Sequence, residues 1–166
     1  MGLFSFLKNA GANLFKSKEE PKVAEKTGTD SAEVIRKQRI ILLKGIVESH
    51  GLEVQDFDLD LHADQVTVYG QVASQEIKEK VILTLGNVAG IATVDDRLSV
   101  VQTETSPPVR EAQFHEVKKG DTLSKIAKNY YGDAMKYPVI FEANKPMLKS
   151  PDLIYPGQVL RIPHLD

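Results

Sequence analysis

The chain has 166 residues, enough for one ordinary domain or two small ones. Its composition, 42% apolar and 27% charged, is that of a globular protein, and 21 Lys and Arg against 23 Asp and Glu leave a net charge of −2. That balance supplies no large positive field for nucleic acid, and the absence of cysteine excludes disulfides, thiolate catalysis and cysteine-held zinc.

The first segment, "MGLFSFLKNAGANLF", is apolar but interrupted by Lys8, Asn9 and Asn13. It does not read as a secretory signal, because Lys8 falls inside the apolar run and no small-x-small cleavage pattern follows. Phe6 stands where a myristoylation signal needs Ser or Thr. A spanning helix needs about 20 apolar residues, and this run is too short. Leu3, Leu7, Ala10 and Leu14, with Phe4, Gly11 and Phe15, recur at helical spacing, so residues 1–15 are expected to form a short amphipathic helix docked on the body. The thin basic face of Lys8, Lys16 and Lys18 argues against membrane-surface binding.

Residues 16–30, "KSKEEPKVAEKTGTD", are charged and without apolar period, and read as a linker. Asp30 with Glu33 has the form of a capping box, and Val34, Ile35, Leu42, Ile46 and Val47 follow as the apolar positions of a helix that Gly51 stops. In "VQDFDLDL", Phe57, Leu59 and Leu61 alternate with Asp56, Asp58 and Asp60, which predicts a half-buried strand. The same aspartates open a calcium-loop pattern, but Leu61 and Thr67 hold the places where such a loop needs Gly and Glu. The solvated-strand reading therefore stands. "ADQ" turns the chain into a second strand, "VTVYGQV". Ser74 caps a helix carrying Ile77, Val81, Leu85 and Val88, and "IATVDDRLSVV" is a third strand with Asp95 and Asp96 expected at its end or in a turn. Residues 31–101 thus predict an α-β-β-α-β layer of α+β class.

Between that helix and strand lies "GNVAGI", residues 86–91. A helix C-cap and tight turn would explain both glycines. A helix end also leaves carbonyl oxygens without intrahelical partners, and such oxygens can replace the hydration shell of a large monovalent cation. The local pattern leaves both readings open.

Residues 102–112, "QTETSPPVREA", form a second linker stiffened by its Pro pair. Residues 113–164 predict strand, helix, helix, strand. Gly120 turns the chain, Asp121 or Thr122 starts a helix whose buried stripe is Leu123, Ile126, Ala127 and Tyr130, and Gly132 ends it. Asp133 begins a second helix with Pro138 in its first turn and Ile140 and Phe141 inward; Pro146 stops it. His50, His62, His115 and His164 are scattered without metal-ligand spacing, and no nucleophile elbow or phosphate loop occurs, so an enzyme is not expected.

"VKKGDTLSKIAKNYYGD" followed by "IFEANKPMLKSPDLIYPGQVLRIP" resembles the LysM domain, and "VTVYGQVASQEIKEKVILTLGNVAGIATVDDRLSV" resembles the BON domain. A BON–LysM pair opening with "MGLF" and containing this turn resembles a family of small bacterial cytoplasmic potassium-binding proteins. The resemblance implies a monomeric K⁺ sensor or buffer. It also implies ligation by main-chain oxygens of Leu7, Ala10 and Ala12 with Gly86, Val88 and Ile91, and K⁺-dependent contact between the BON and LysM domains. Alternatively, a LysM groove for peptidoglycan or N-acetylglucosamine polymers would comprise Gly120, Asp121, Thr122, Leu123, Ile154, Tyr155, Pro156 and Gly157. A third reading is a stress-response adaptor that the ion only stabilises.

Overall fold

The computed structural model describes residues 2–6, 30–102 and 110–165. The architecture is α+β: a four-stranded sheet with two helices on one face, followed by a two-stranded sheet with two further helices.

In chain order the elements are β1 (Gly2–Ser5), α1 (Asp30–Ser49), β2 (Gln55–His62), β3 (Gln65–Val72), α2 (Gln75–Gly86) and β4 (Thr93–Val100). They continue with β5 (Gln113–Glu116), α3 (Leu123–Tyr131), α4 (Tyr137–Ala143) and β6 (Val159–Ile162). The large sheet has the order β1-β4-β3-β2; β3 and β4 run parallel and the other pairs antiparallel. Helix α2 is the crossover joining the parallel pair, as parallel strands require.

The opening residues correct the expected amphipathic helix. Residues 2–5 are a strand paired with β4 in the register Gly2↔Asp96 to Ser5↔Thr93. Leu3 and Ser5 face outward, while Phe4 is partly buried and Phe6 buried. This period-two pattern over "LFSF" covers the edge that β4 would otherwise leave unpaired. Residues 7–15 lie outside the described residues.

Local signals account for most of the remaining boundaries. Ser74 Oγ accepts from the Ile77 N–H at 3.2 Å to start α2, and Thr122 Oγ1 accepts from the Lys125 N–H at 3.2 Å to start α3. Gly132 closes α3 in the left-handed region at φ 74°. In β2, Leu59 and Leu61 are buried and Asp56 and Asp58 exposed.

Helix α1 buries only some of its expected apolar positions. Leu43 and Val47 are fully buried against the sheet, whereas Val34, Ile35 and Leu42 are about half exposed, and Ile41 is 68% exposed. The helix is apolar on two opposite sides, so period alone cannot choose the buried one. A direct check is a pair of variants: Leu43→Ala is expected to cost about 2–5 kcal/mol in denaturant unfolding, and Ile41→Ala within about 0.5 kcal/mol of zero.

Two further positions differ. Asp96 is not at a strand end but inside β4, 2% exposed, where it receives the Lys78 ammonium at 2.9 Å and the Leu98 N–H at 2.9 Å. Tyr130 lies at the surface, its ring edge-on to His115 and its hydroxyl 3.2 Å from that ring's Nδ1. The buried stripe of α3 is Leu123, Ile126 and Ala127.

Candidate functional site

The turn at 86–91 is built from the end of α2. The Asn87 N–H returns to the Leu83 carbonyl at 3.0 Å, the Val88 N–H to Leu85 at 3.3 Å, and the Ile91 N–H to Val88 at 3.1 Å. Gly90 takes φ 98°, a backbone that side chains disfavour. Val88 and Ile91 are buried, anchoring the turn in the core while its backbone reverses.

Gly86 is constrained by a different neighbour. A Cβ there would lie 2.1–2.3 Å from Cζ, Cε2 and Cε1 of Phe6, closer than any non-bonded contact. The Phe6 ring therefore lies directly on the last turn of α2. Its N–H donates to the Ala92 carbonyl at 2.7 Å, and the Ala92 N–H donates to Asp64 at 2.8 Å. The opening segment and the turn are joined by a backbone hydrogen bond on one side and a ring-on-glycine contact on the other. Gly86, Val88 and Ile91 are thus together in this turn; Leu7, Ala10 and Ala12 lie outside the described residues.

Asn87, which sequence reasoning did not single out, ties the same turn to the C-terminal unit. Its side-chain amide donates to the Val159 carbonyl at 2.9 Å and accepts from the Val159 N–H at 2.8 Å. One side chain thus completes both backbone groups of a β6 residue. The Met147 sulfur lies 3.3 Å from the same amide nitrogen. Val159 itself packs into the core of the first unit.

A buried ion pair reinforces the junction. Arg161 Nε on β6 donates to Glu79 Oε2 on α2; the residues are 9% and 2% exposed. Glu79 Oε1 accepts from the Ala112 N–H at 2.9 Å and the Gln75 amide at 3.1 Å, so both carboxylate oxygens are engaged. Phe4 and Phe114 meet edge-to-face at 5.4 Å beside this pair. Glu79 and Arg161 are 82 residues apart, and neither gave a local signal.

The proposed glycan residues separate into groups. Asp121, Thr122, Leu123 and Ile154 line one cleft of about 390 Å³ with Tyr137 and Asp152. Asp121 is held below the usual carboxylate range, chiefly by the Lys118 N–H and then by the His115 ring at 3.1 Å. Tyr155 is not in that lining; its hydroxyl reaches toward the Asn87 carbonyl at 3.5 Å. Gly120, Pro156 and Gly157 are also outside it, and the Gly120 carbonyl accepts from Lys125 Nζ at 2.9 Å. Among the described residues no three His, Cys, Asp or Glu side chains converge on a metal position, and no helix is long and apolar enough to cross a membrane.

The strand–helix–helix–strand unit makes this a LysM-containing protein: residues 115–163 match the LysM domain. Over 163 residues the chain is 45% identical to Potassium binding protein Kbp of Escherichia coli O6:H1 (strain CFT073), a match covering 98% of this chain and 99% of that protein. The chain belongs to the Kbp family. It is also 60% identical over 47 residues to an uncharacterized protein of Deinococcus radiodurans, covering 28% of this chain and 18% of that one.

Proposed function

We propose that the chain binds K⁺ through main-chain carbonyls of Leu7, Ala10 and Ala12 from the opening segment and of Gly86, Val88 and Ile91 from the turn. In this reading it is a non-enzymatic, monomeric cytoplasmic sensor or buffer of the ion. The docking segment is 1–15, a linker spans 16–30, residues 31–101 are a BON domain, a second linker spans 102–112, and the LysM domain runs over 113–164.

The observation that carries the reading is the seating of Phe6 on Gly86, which holds the opening segment against the turn. Neutral carbonyls suit a large, weakly hydrated monovalent ion, whereas Ca²⁺ and Mg²⁺ generally recruit carboxylates. The name of the 45% identical relative points the same way. An ion requiring both segments stabilises only the state in which they meet, and the Asn87 amide passes that order to β6. K⁺-dependent closure of the BON and LysM domains follows from this coupling.

Calorimetry of the desalted protein is expected to show saturable K⁺ binding and much weaker Na⁺ binding. Deleting residues 2–14, or the milder change Phe6→Ala, is expected to weaken K⁺ binding at least about tenfold, a difference of roughly 1.4 kcal/mol. Unchanged affinity in both variants sinks the site.

The LysM cleft lined by Asp121, Thr122, Leu123 and Ile154 favours a second reading, recognition of N-acetylglucosamine polymers. Titration with a chitin tetramer distinguishes it: binding lost on Ile154→Asp supports the glycan reading, and no binding removes it.

A further inference from the structure

Beside the turn, and apart from both sites above, a cleft of about 520 Å³ opens between the end of α1, the end of α2 and the 147–158 loop of the LysM domain. Its size lies within the range of small-molecule sites, about 300–1,000 Å³. Ile46, Val88, Met147 and Leu153 give it an apolar wall, and Leu153 is 62% exposed there. The basic groups of the lining are His50, just past the end of α1, and Lys149 from the loop.

Among the described residues no Asp or Glu lines the cleft, and Lys149 has no carboxylate partner. The half-buried His50 ring lies against the Thr84 hydroxyl, 3.5 Å from Nδ1. Among the described residues the remaining titratable group of the lining is Tyr155, while α2 contributes the neutral Thr84 and the turn contributes Asn87 and Val88. Burial, and then the Lys149 charge, hold His50 below its ordinary value. The Lys149 ammonium, without a carboxylate partner among the described residues and beside an apolar wall, is complementary to an anion with an apolar body.

The geometry points to this interdomain cleft as a binding site for a small amphipathic carboxylate, its head between His50 and Lys149 and its apolar body along Ile46, Met147 and Leu153. Such a ligand touches both folded units and the Val88 end of the turn, so it bridges the same junction that Asn87 closes. The inference does not depend on K⁺ ligation. A carboxylate seated there favours protonated His50, so binding tightens as pH falls through the histidine range.

The test is calorimetric titration of the full chain, held in KCl, with sodium octanoate and with its neutral analogue octanamide. Expected are saturable one-site binding of octanoate, binding of octanamide weaker by about tenfold or more, and an upward-moving His50 titration by NMR when octanoate is bound. Lys149 and Leu153 are exposed, so Lys149→Gln and Leu153→Ser are expected to leave the fold intact and each to weaken octanoate by about fivefold. No saturable octanoate binding, equal affinity for octanamide, or octanoate affinity unchanged in both variants overturns the proposal. Each of these outcomes leaves the K⁺ titrations standing as a separate result.

Discussion

Replacing Gly86 with Ala is expected to destabilise the protein by about 1–3 kcal/mol, although the same exchange in an open helix stabilises by up to about 1 kcal/mol. The reason is steric. The new methyl would lie 2.1 Å from Cζ of Phe6, so the ring must leave a position where it is only 9% exposed. Its lost burial outweighs the gain in helix propensity. Once Phe6 is Ala, Gly86→Ala is expected to be neutral or stabilising, because the ring it would collide with is gone. Urea unfolding of the four members of this cycle measures the coupling. On the proposed K⁺ site, Gly86→Ala also weakens the ion at least about tenfold by displacing the opening segment. Additive effects of the two substitutions would refute the contact itself.

Glu79→Ala is expected to have the larger effect on stability, about 3–5 kcal/mol, because it strands a buried charge. Arg161 keeps its guanidinium among buried groups without its carboxylate, and the Ala112 N–H and Gln75 amide lose their acceptor. For a chain of this length the change corresponds to roughly 6–20 °C in thermal midpoint, at about 2–4 °C per kcal/mol. Replacing both partners with apolar residues, Glu79→Leu with Arg161→Met, is expected to recover much of the loss, since neither charge is then left unpaired. Thermal unfolding followed by circular dichroism of the single and double variants provides the comparison. Loss in Glu79→Ala no greater than in an exposed control such as Glu142→Ala would mean that the pair does not hold the two units together.

The helices and strands with strong local chemistry were legible from the chain alone. Ser74 and Thr122 place side-chain oxygens at helix starts, Gly132 supplies a left-handed stop, and the Asp–Leu alternation of β2 sorts wet from buried positions. Residues 2–5 satisfy a helical and an alternating pattern almost equally. What decides is the unpaired edge of β4, some 90 positions away. The face of α1 was ambiguous for a related reason: apolar residues occupy both sides, and only the sheet selects Leu43 and Val47.

At the site, the glycines of "GNVAGI" were visible but their separate reasons were not. Gly90 answers to its own backbone angle, whereas Gly86 answers to an aromatic ring 80 residues earlier. Asn87 and the Glu79–Arg161 pair are polar groups whose partners lie 72 and 82 residues away, and no periodicity encodes such a meeting. Asp96 gave the same difficulty: an acidic residue in a strand reads as solvated until Lys78 is brought over it by α2.

On the proposed function, K⁺ joins the opening segment to the 86–91 turn. Amide hydrogen exchange of residues 3–14, measured at matched ionic strength in potassium, sodium and choline chloride, addresses it most directly. Markedly slower exchange is expected in potassium than in the other two, with the same ion dependence at residues 86–92. Equal exchange of residues 3–14 in all three salts would contradict it.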